Sequence, residues 1–273
     1  SLCDKDARVG YKSKEHSFFG YKSEFVMTTD ERIITAIDAH SGEYVDGREF
    51  SKLADRTAAS GLNINEVYGD KAYFRAAILE KIKEMKAKGY IPINACAYQI
   101  NEELFSYNKD SDQWFCFMGN HTVSKKRATR QARGKQEDTY LFLFKKEQCA
   151  DCPHRDICVG KSKKKARILQ VALHTNEFYA ISQEQKQPEF LEKYKKRAAH
   201  EWKNGEMKRF HGMSRAKGLG LRGVTVQVKL TAIAVNLKRI AAIYGEKHTP
   251  SPYISKKMRI YFTCLCFNLN YAA

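Results

Sequence analysis

The chain of 273 residues is long enough to bury one substantial core and a smaller appendage, and with 43% apolar residues, 15 Phe and 15 Tyr it is no disordered tail. No uninterrupted apolar run reaches the roughly 18 residues that cross a bilayer, and no charged leader followed by an apolar run opens the sequence, so no membrane partner is expected. The net charge of +17 is concentrated: residues 121–167 hold 14 basic and 5 acidic groups and residues 193–223 hold 10 and 2, excesses that together make the whole +17. Such stretches on an otherwise balanced chain fit a polyphosphate partner, with a solvated lysine-rich face as the competing reading.

In chain order, residues 1–19 are polar and broken by Gly10, which predicts loop. Gly20–Met27 reads as a strand, Thr28–Arg32 as a turn, and Ile33, Ile34, Ala36 and Ile37 as a second strand ending near Ser41-Gly42, a hairpin pattern. Asp46 is placed to cap a helix over Arg48–Ala59, with Phe50, Leu53 and Ala54 on one side. Val67 and Tyr68 lead as a short strand into Asp70, and Ala76–Lys88 forms an amphipathic helix through Ile78, Ile82 and Met85, stopped by Gly89. Tyr90–Ala97 reads as a further buried strand, so strand and helix alternate in an α/β arrangement.

Between Tyr98 and Glu192 the sequence turns polar, basic and cysteine-bearing, with strand-like pieces at Trp114–Met118 and Tyr140–Phe144. The helix signal returns from Glu189 to Phe210, and again over Gln227–Ile243, where Leu230, Ile233, Leu237 and Ile240 recur at helical spacing. Pro250 and Pro252 interrupt the ending, and Tyr261–Tyr271 is apolar.

Of eight cysteines, Cys116, Cys149, Cys152 and Cys158 lie around the first basic stretch. Cys149-Ala-Asp-Cys152 followed by Cys158, with Cys116 from an earlier strand, supplies four thiolates, the donor set of tetrahedral Zn²⁺. His121 and His154 are alternative ligands. A redox-active pair is the other reading of the CxxC, although no thioredoxin-like strand-to-helix context surrounds it, and four unrelated thiols is a third.

On a helix, Tyr194, Arg197, Glu201 and Lys208 fall within about 60° of one another, a narrow polar stripe. Spacing alone does not separate that stripe from an ordinary solvated face. The string Tyr194-Lys-Lys-Arg197-Ala-Ala-His-Glu201, followed by Lys208, resembles the Tyr, Arg, Glu, Lys signature of DDE transposases of the IS4 and IS5 insertion-sequence groups. Tyr68-Gly-Asp70-Lys-Ala-Tyr73 resembles the segment carrying their second aspartate, and Asp4-Lys-Asp-Ala-Arg8 through Phe19-Gly-Tyr-Lys22 resembles the run before the second core strand in the IS1182-type branch.

The resemblance, over roughly residues 1–243, implies an α/β fold: a ribonuclease-H-like mixed sheet with flanking helices and an inserted cysteine-rich, zinc-ribbon-like unit. It divides the chain into the first part of the core (1–97), the basic cysteine-rich insertion (98–192), the helical completion of the core (193–243) and a tail (244–273). It implies Mg²⁺ or Mn²⁺ at Asp70 and Glu201, Arg197 and Lys208 as orienting or phosphate-contacting groups, and Zn²⁺ at the four cysteines. Its first aspartate has no counterpart in residues 1–19: Asp4 and Asp6 match the later linker and Asp38 ends a neighbouring strand. The first aspartate and its strand are therefore expected upstream of Ser1, in a chain read as an N-terminally truncated fragment. The implied function is cleavage and strand transfer of an insertion sequence, with its ends and target DNA as partners and self-association on DNA, in the cytoplasm and nucleoid of a bacterial or archaeal cell. The alternative is a catalytically inactive, transposase-derived zinc protein that binds DNA.

Overall fold

The computed structural model describes residues 3–11, 15–132, 134–159 and 166–248. Arg133, the lysine cluster at 161–165 and the apolar tail 249–273 lie outside the described residues. In chain order the elements are β1 (Arg8–Tyr11), β2 (Ser17–Met27), β3 (Ile34–Ser41), α1 (Phe50–Ala59), β4 (Glu66–Tyr68), α2 (Ala76–Glu84) and β5 (Lys88–Tyr90). There follow β6 (Phe105–Asn108), β7 (Gln113–Cys116), β8 (Thr122–Ala132), β9 (Lys135–Phe144), α3 (Lys146–Ala150), α4 (Arg155–Cys158) and β10 (Ile168–Ala172). The chain ends in α5 (Thr175–Gln185), α6 (Pro188–Tyr194), α7 (Ala198–Phe210) and α8 (Gly220–His248). These elements fall into two compact units, residues 1–43 with 200–273, and residues 44–199.

In the first unit β1, β2 and β3 form an antiparallel sheet in that order. The β2–β3 hairpin agrees with the sequence pattern, whereas β1 and the start of β2 replace the loop expected over residues 1–19. Gly10 explains the difference: it sits inside β1, where an added Cβ would stand 2.2 Å from the carbonyl oxygen of Gly42, so glycine there permits close backbone approach and does not break the strand. One face of α8, with Val224, Val228, Ala232 and Val235, packs on Phe25 of β2 and on Ile34, Ile37 and Ala39 of β3, and Met207 of α7 completes the cluster. Full burial of each such aliphatic side chain contributes on the order of 1.5–3 kcal/mol.

Register between α8 and the sheet is set by Asn236. Its side-chain amide donates to the carbonyl oxygen of Ile34 at 2.8 Å and accepts from the Ile34 N–H at 2.8 Å, pairing the edge strand as a neighbouring strand would. The amino end of α8 is capped from the far end of the chain. Asp4 accepts from the Gly220 N–H at 3.2 Å and Asp6 from the Leu221 N–H at 2.7 Å, while Tyr21 Oη donates to Asp4 at 2.7 Å. The Tyr21 hydrogen bond and the backbone N–H groups hold the Asp4 carboxyl below its ordinary range, and burial together with that carboxylate pushes the Tyr21 hydroxyl up to about 12. Leu230, Ile233, Leu237 and Ile240, whose spacing announces the helix, lie on its exposed side.

In the second unit β4 and β5 pair in parallel. Phe50 and Ala54 of α1, Ile78 and Ile82 of α2, Phe74, Ile91 and Phe178 of α5 form one core cluster. Helix α1 begins at Phe50, two residues later than expected, and Glu49, which precedes it, makes no side-chain capping hydrogen bond. Helix α2 stops at Glu84 because Lys86 adopts a left-handed φ of 56°, and Gly89 belongs to β5. Strand β5 in turn ends at Tyr90 and does not run on to Ala97. Pro92 has no N–H for a ladder, and the Asn94 side chain accepts from the Cys96 N–H at 2.9 Å, which turns the chain.

Residues 105–172 carry their own sheets, the β6–β7 hairpin and the antiparallel order β10-β9-β8, around Phe105, Trp114, Phe142, Phe144, Leu169 and Val171. Trp114 is fully buried, and its indole N–H donates to Asn176 at 3.2 Å. Glu102 ties the preceding loop to α5, accepting from Tyr98, Ser182, Gln183 and Lys186. Burial alone would raise the Glu102 carboxyl, but these hydrogen bonds prevail and hold it at about 2.

Two outcomes follow from these contacts. Replacing Asn236→Ala leaves a buried N–H and C=O of Ile34 unpaired, and should lower stability by about 2–4 kcal/mol, read as a lower urea midpoint at unchanged slope. Because the folded carboxyl of Glu102 titrates below the ordinary 4.5, its contribution is complete above that pH and is lost as pH falls from about 4.5 to about 2. Glu102→Gln should flatten the acid limb of a stability–pH curve in that window.

Candidate functional site

Asp70 follows β4 directly. Its Oδ1 accepts from the Ala72 N–H at 2.7 Å and caps a single 3-10 turn over Lys71–Tyr73. Gly69 seats this strand end closely, since a Cβ there would meet Ile91 and Tyr73 at 3.3 Å. A half-buried carboxylate with one oxygen fixed in this way is a rigid hard-oxygen donor.

The first half of the Tyr, Arg, Glu, Lys string is anchored to the same small sheet. Tyr68 of β4 stacks on Tyr90 of β5 with ring centroids 5.1 Å apart, Tyr90 meets Phe190 of α6 at 5.6 Å, and Phe190 stacks on Tyr194 at 6.1 Å. An ion pair closes the arrangement: Lys193 Nζ lies 2.6 Å from Glu66 Oε1, and Tyr68 Oη donates to the same carboxylate. The Lys193 ammonium and then the Tyr68 hydroxyl hold the Glu66 carboxyl below its usual range. Arg197 lies over the Tyr194 ring at 5.6 Å. Neither Glu66 nor Lys193 is legible in the sequence as a pair, because 127 residues separate them.

Glu201 and Lys208 sit on α7 in the other unit, both exposed. The opposite side of α7 is buried through Met207 and Lys203, whose ammonium meets Glu206 at 3.0 Å, and Glu206 also meets Lys238 of α8 at 3.1 Å. Burial would raise the Glu206 carboxyl, but the two ammonium groups hold it down. Burial and the neighbouring Lys238 push the His211 imidazole below its usual value. His200 stacks on Phe25 at 4.0 Å with an interplanar angle of 8°. The expected single stripe from Tyr194 to Lys208 is interrupted: residues Lys195–Arg197 form a 3-10 turn between α6 and α7, which steps about 120° per residue in place of 100°. Asp4 and Asp6 are committed to the α8 cap.

The four cysteines converge on one cavity of about 20 Å³, also lined by Phe105, Phe144, Arg155 and Arg167. Cys116 ends β7, Cys149 lies on α3, Cys152 in the following turn and Cys158 at the end of α4. Arg155 donates to the Cys149 carbonyl oxygen at 2.7 Å and Arg167 to that of Cys158 at 2.8 Å, pinning both short helices. Burial pushes the Cys158 thiol up, Arg167 opposes this, and the other three thiols add to the rise, so the sulfurs share one electrostatic environment. The cavity has the size of a single water or ion. Among the described residues, however, no three His, Cys, Asp or Glu side chains gather as a metal-holding cluster, and the expected zinc ribbon is not formed, because Cys149 and Cys158 lie on helices and not in paired hairpin turns.

The two basic stretches differ in kind. On the β8–β9 hairpin, Lys125 pairs with Asp112 at 2.7 Å, Arg127 with Asp138 at 2.5 Å and Arg130 with Glu137 at 3.1 Å, so much of its charge is neutralised within the protein. No acidic residue occurs between Glu206 and Glu246, and Lys208, Arg209, Arg215, Lys217 and Arg222 are all exposed. This second stretch is the stronger candidate for phosphate contact.

The Transposase DDE domain family matches residues 115–241, from the last strand of the β6–β7 hairpin through the cysteine cavity, the Arg197–Glu201–Lys208 segment and most of α8. No curated protein and no solved structure matched the chain. The region from Phe115 to Ala241 is therefore a DDE transposase-domain region.

Proposed function

We propose that the chain is the catalytic region of a DDE-type DNA transposase, related to the IS1182-type branch, which cleaves phosphodiesters and joins the freed 3′-hydroxyl to target DNA. The observation that carries this reading is the family match over residues 115–241, which contains Arg197, Glu201, Lys208 and all four cysteines. Asp70 and Glu201 are the proposed ligands of Mg²⁺ or Mn²⁺, and the ion would supply Lewis-acid stabilisation of charge on the phosphoryl oxygens. The Asp70 side chain, held by the Ala72 N–H, has the chemistry for this role. Because Asp4 and Asp6 cap α8, the third carboxylate is assigned to upstream sequence, with residues 98–192 as an insertion into a ribonuclease-H-like core. Arg197 and Lys208 would orient the carboxylates or the phosphate, and the exposed cations from Lys208 to Arg222 would hold the DNA backbone of insertion-sequence ends and target. Self-association on DNA belongs to the same reading.

Zn²⁺ is the proposed occupant of the cysteine cavity, supported by four cysteines among the residues that line one ion-sized space. The second reading, a catalytically inactive zinc protein that binds DNA, keeps the basic surface and the cysteines and differs only in the carboxylate chemistry.

Joined to its upstream segment, the protein should nick supercoiled plasmid only with Mg²⁺ or Mn²⁺. Asp70→Asn or Glu201→Gln should slow nicking at least about a hundredfold, or ~2.7 kcal/mol in barrier, while leaving salt-sensitive binding in place. Binding without nicking by the intact protein would transfer the assignment to the inactive reading. For the cysteines, the purified chain should carry one equivalent of zinc. Cys152→Ser should lose it and should melt earlier; unchanged zinc content in that variant would reject the site.

A further inference from the structure

Helix α8 has a second apolar face. Val226, Leu230, Ile233, Leu237, Ile240 and Tyr244 are each 51–66% exposed, although the opposite side of the same helix is packed into the core. Their spacing runs four, three, four, three, four, the alternation of a helix seam that meets another helix by knobs into holes. An isolated exposed leucine needs no explanation, but six in register over five turns do.

We propose that this face pairs two copies of the chain, the α8 seam of one packing against the same seam of the other about a two-fold axis. The area is sufficient: six half-exposed side chains offer on the order of 600 Å² per helix, so a symmetric pair hides about 1,200 Å², the lower bound for stable protein contacts. The positions bordering the seam include Gln227, Ala234 and Ala241 on one side and Lys229, Asn236 and Ile243 on the other. Lys229 is their one charge, so no ladder of like charges opposes a copy, and the alanines let the backbones approach. No described helix is long and apolar enough to cross a membrane. Two other covers compete with a second copy: the upstream segment assigned above, whose restoration must leave the dimer intact, and the chain's own tail. Its apolar run, Ile260–Phe267, is nearly continuous and lacks the stepping of three and four that would mirror the seam.

The proposal names the surface for the self-association included above, but it rests on helix geometry alone and is tested without DNA, so its failure leaves the phosphoryl-transfer reading untouched. Sedimentation of the full chain from submicromolar to tens of micromolar should show a reversible dimer. Leu230→Glu with Leu237→Glu should weaken it at least about a hundredfold while circular dichroism stays that of the wild type, and Leu237→Ala should weaken it by less. Lys238→Gln, on the flank, should leave it intact, since Lys203 still pairs with Glu206. A chain monomeric at every concentration overturns the proposal, as does a dimer that survives the double substitution. A monomer that dimerises through α8 only after residues 249–273 are deleted also overturns it, and shows the tail to be the native cover.

Discussion

An edge strand presents a row of unpaired amides and carbonyls that must be covered, and in the first unit the cover is a helix. Asn236 supplies to Ile34 the two hydrogen bonds that a missing neighbour would have made, and this fixes where α8 lies along β3. Once that register is set, Val224, Val228, Ala232 and Val235 fall on the apolar side of the β2–β3 hairpin. Met207 then has a place in the same cluster, which turns α7 so that Lys203 is buried while Glu201 and Lys208 face outward. The orientation of the carboxylate in the signature thus depends on an amide more than four turns into the next helix.

The second unit uses a different kind of tie. Its parallel pair β4–β5 is only three residues long on each side and cannot hold a helix by strand area alone. Aromatic stacking from Tyr68 through Tyr90 and Phe190 to Tyr194 does this, and the Glu66–Lys193 ion pair is its charged end. The half-exposed pair contributes little as a charge interaction, and its importance is directional: it fixes which way α6 leaves the sheet.

Much of the local structure was legible because short-range patterns decide it. The β2–β3 hairpin follows from apolar residues either side of a turn, α2 from Ile78 and Ile82, and the meeting of the cysteines around one cavity from the spacing of Cys149, Cys152 and Cys158. What the pattern missed depends on partners distant in sequence. Gly10 reads as a breaker until Gly42 is placed against it, and Asp4 and Asp6 read as linker residues until Gly220 and Leu221 come to them. The two-faced character of α8 is hidden for another reason: periodicity reports that an apolar face exists, and a helix with two such faces gives one strong signal for whichever carries the larger residues. Counting charges along the β8–β9 hairpin does not say which of them pair, and Arg127 with Asp138 and Arg130 with Glu137 meet only once the two strands fold against each other.

The cap on α8 also bears on how the chain comes to be folded. Asp4 and its backbone donor at Gly220 are 216 residues apart, among the longest loops the chain can close. Contacts of such separation form late, because the entropy of closing the loop must be met before they give any return. During synthesis Asp4 and Asp6 leave the ribosome long before the helix they cap exists, so until α8 emerges the Asp4 carboxylate, the Tyr21 hydroxyl and the apolar side of β2 have to remain available. The first unit is therefore the part of this protein whose assembly waits for nearly the whole chain, whereas residues 44–199 form one uninterrupted stretch and can collapse on their own.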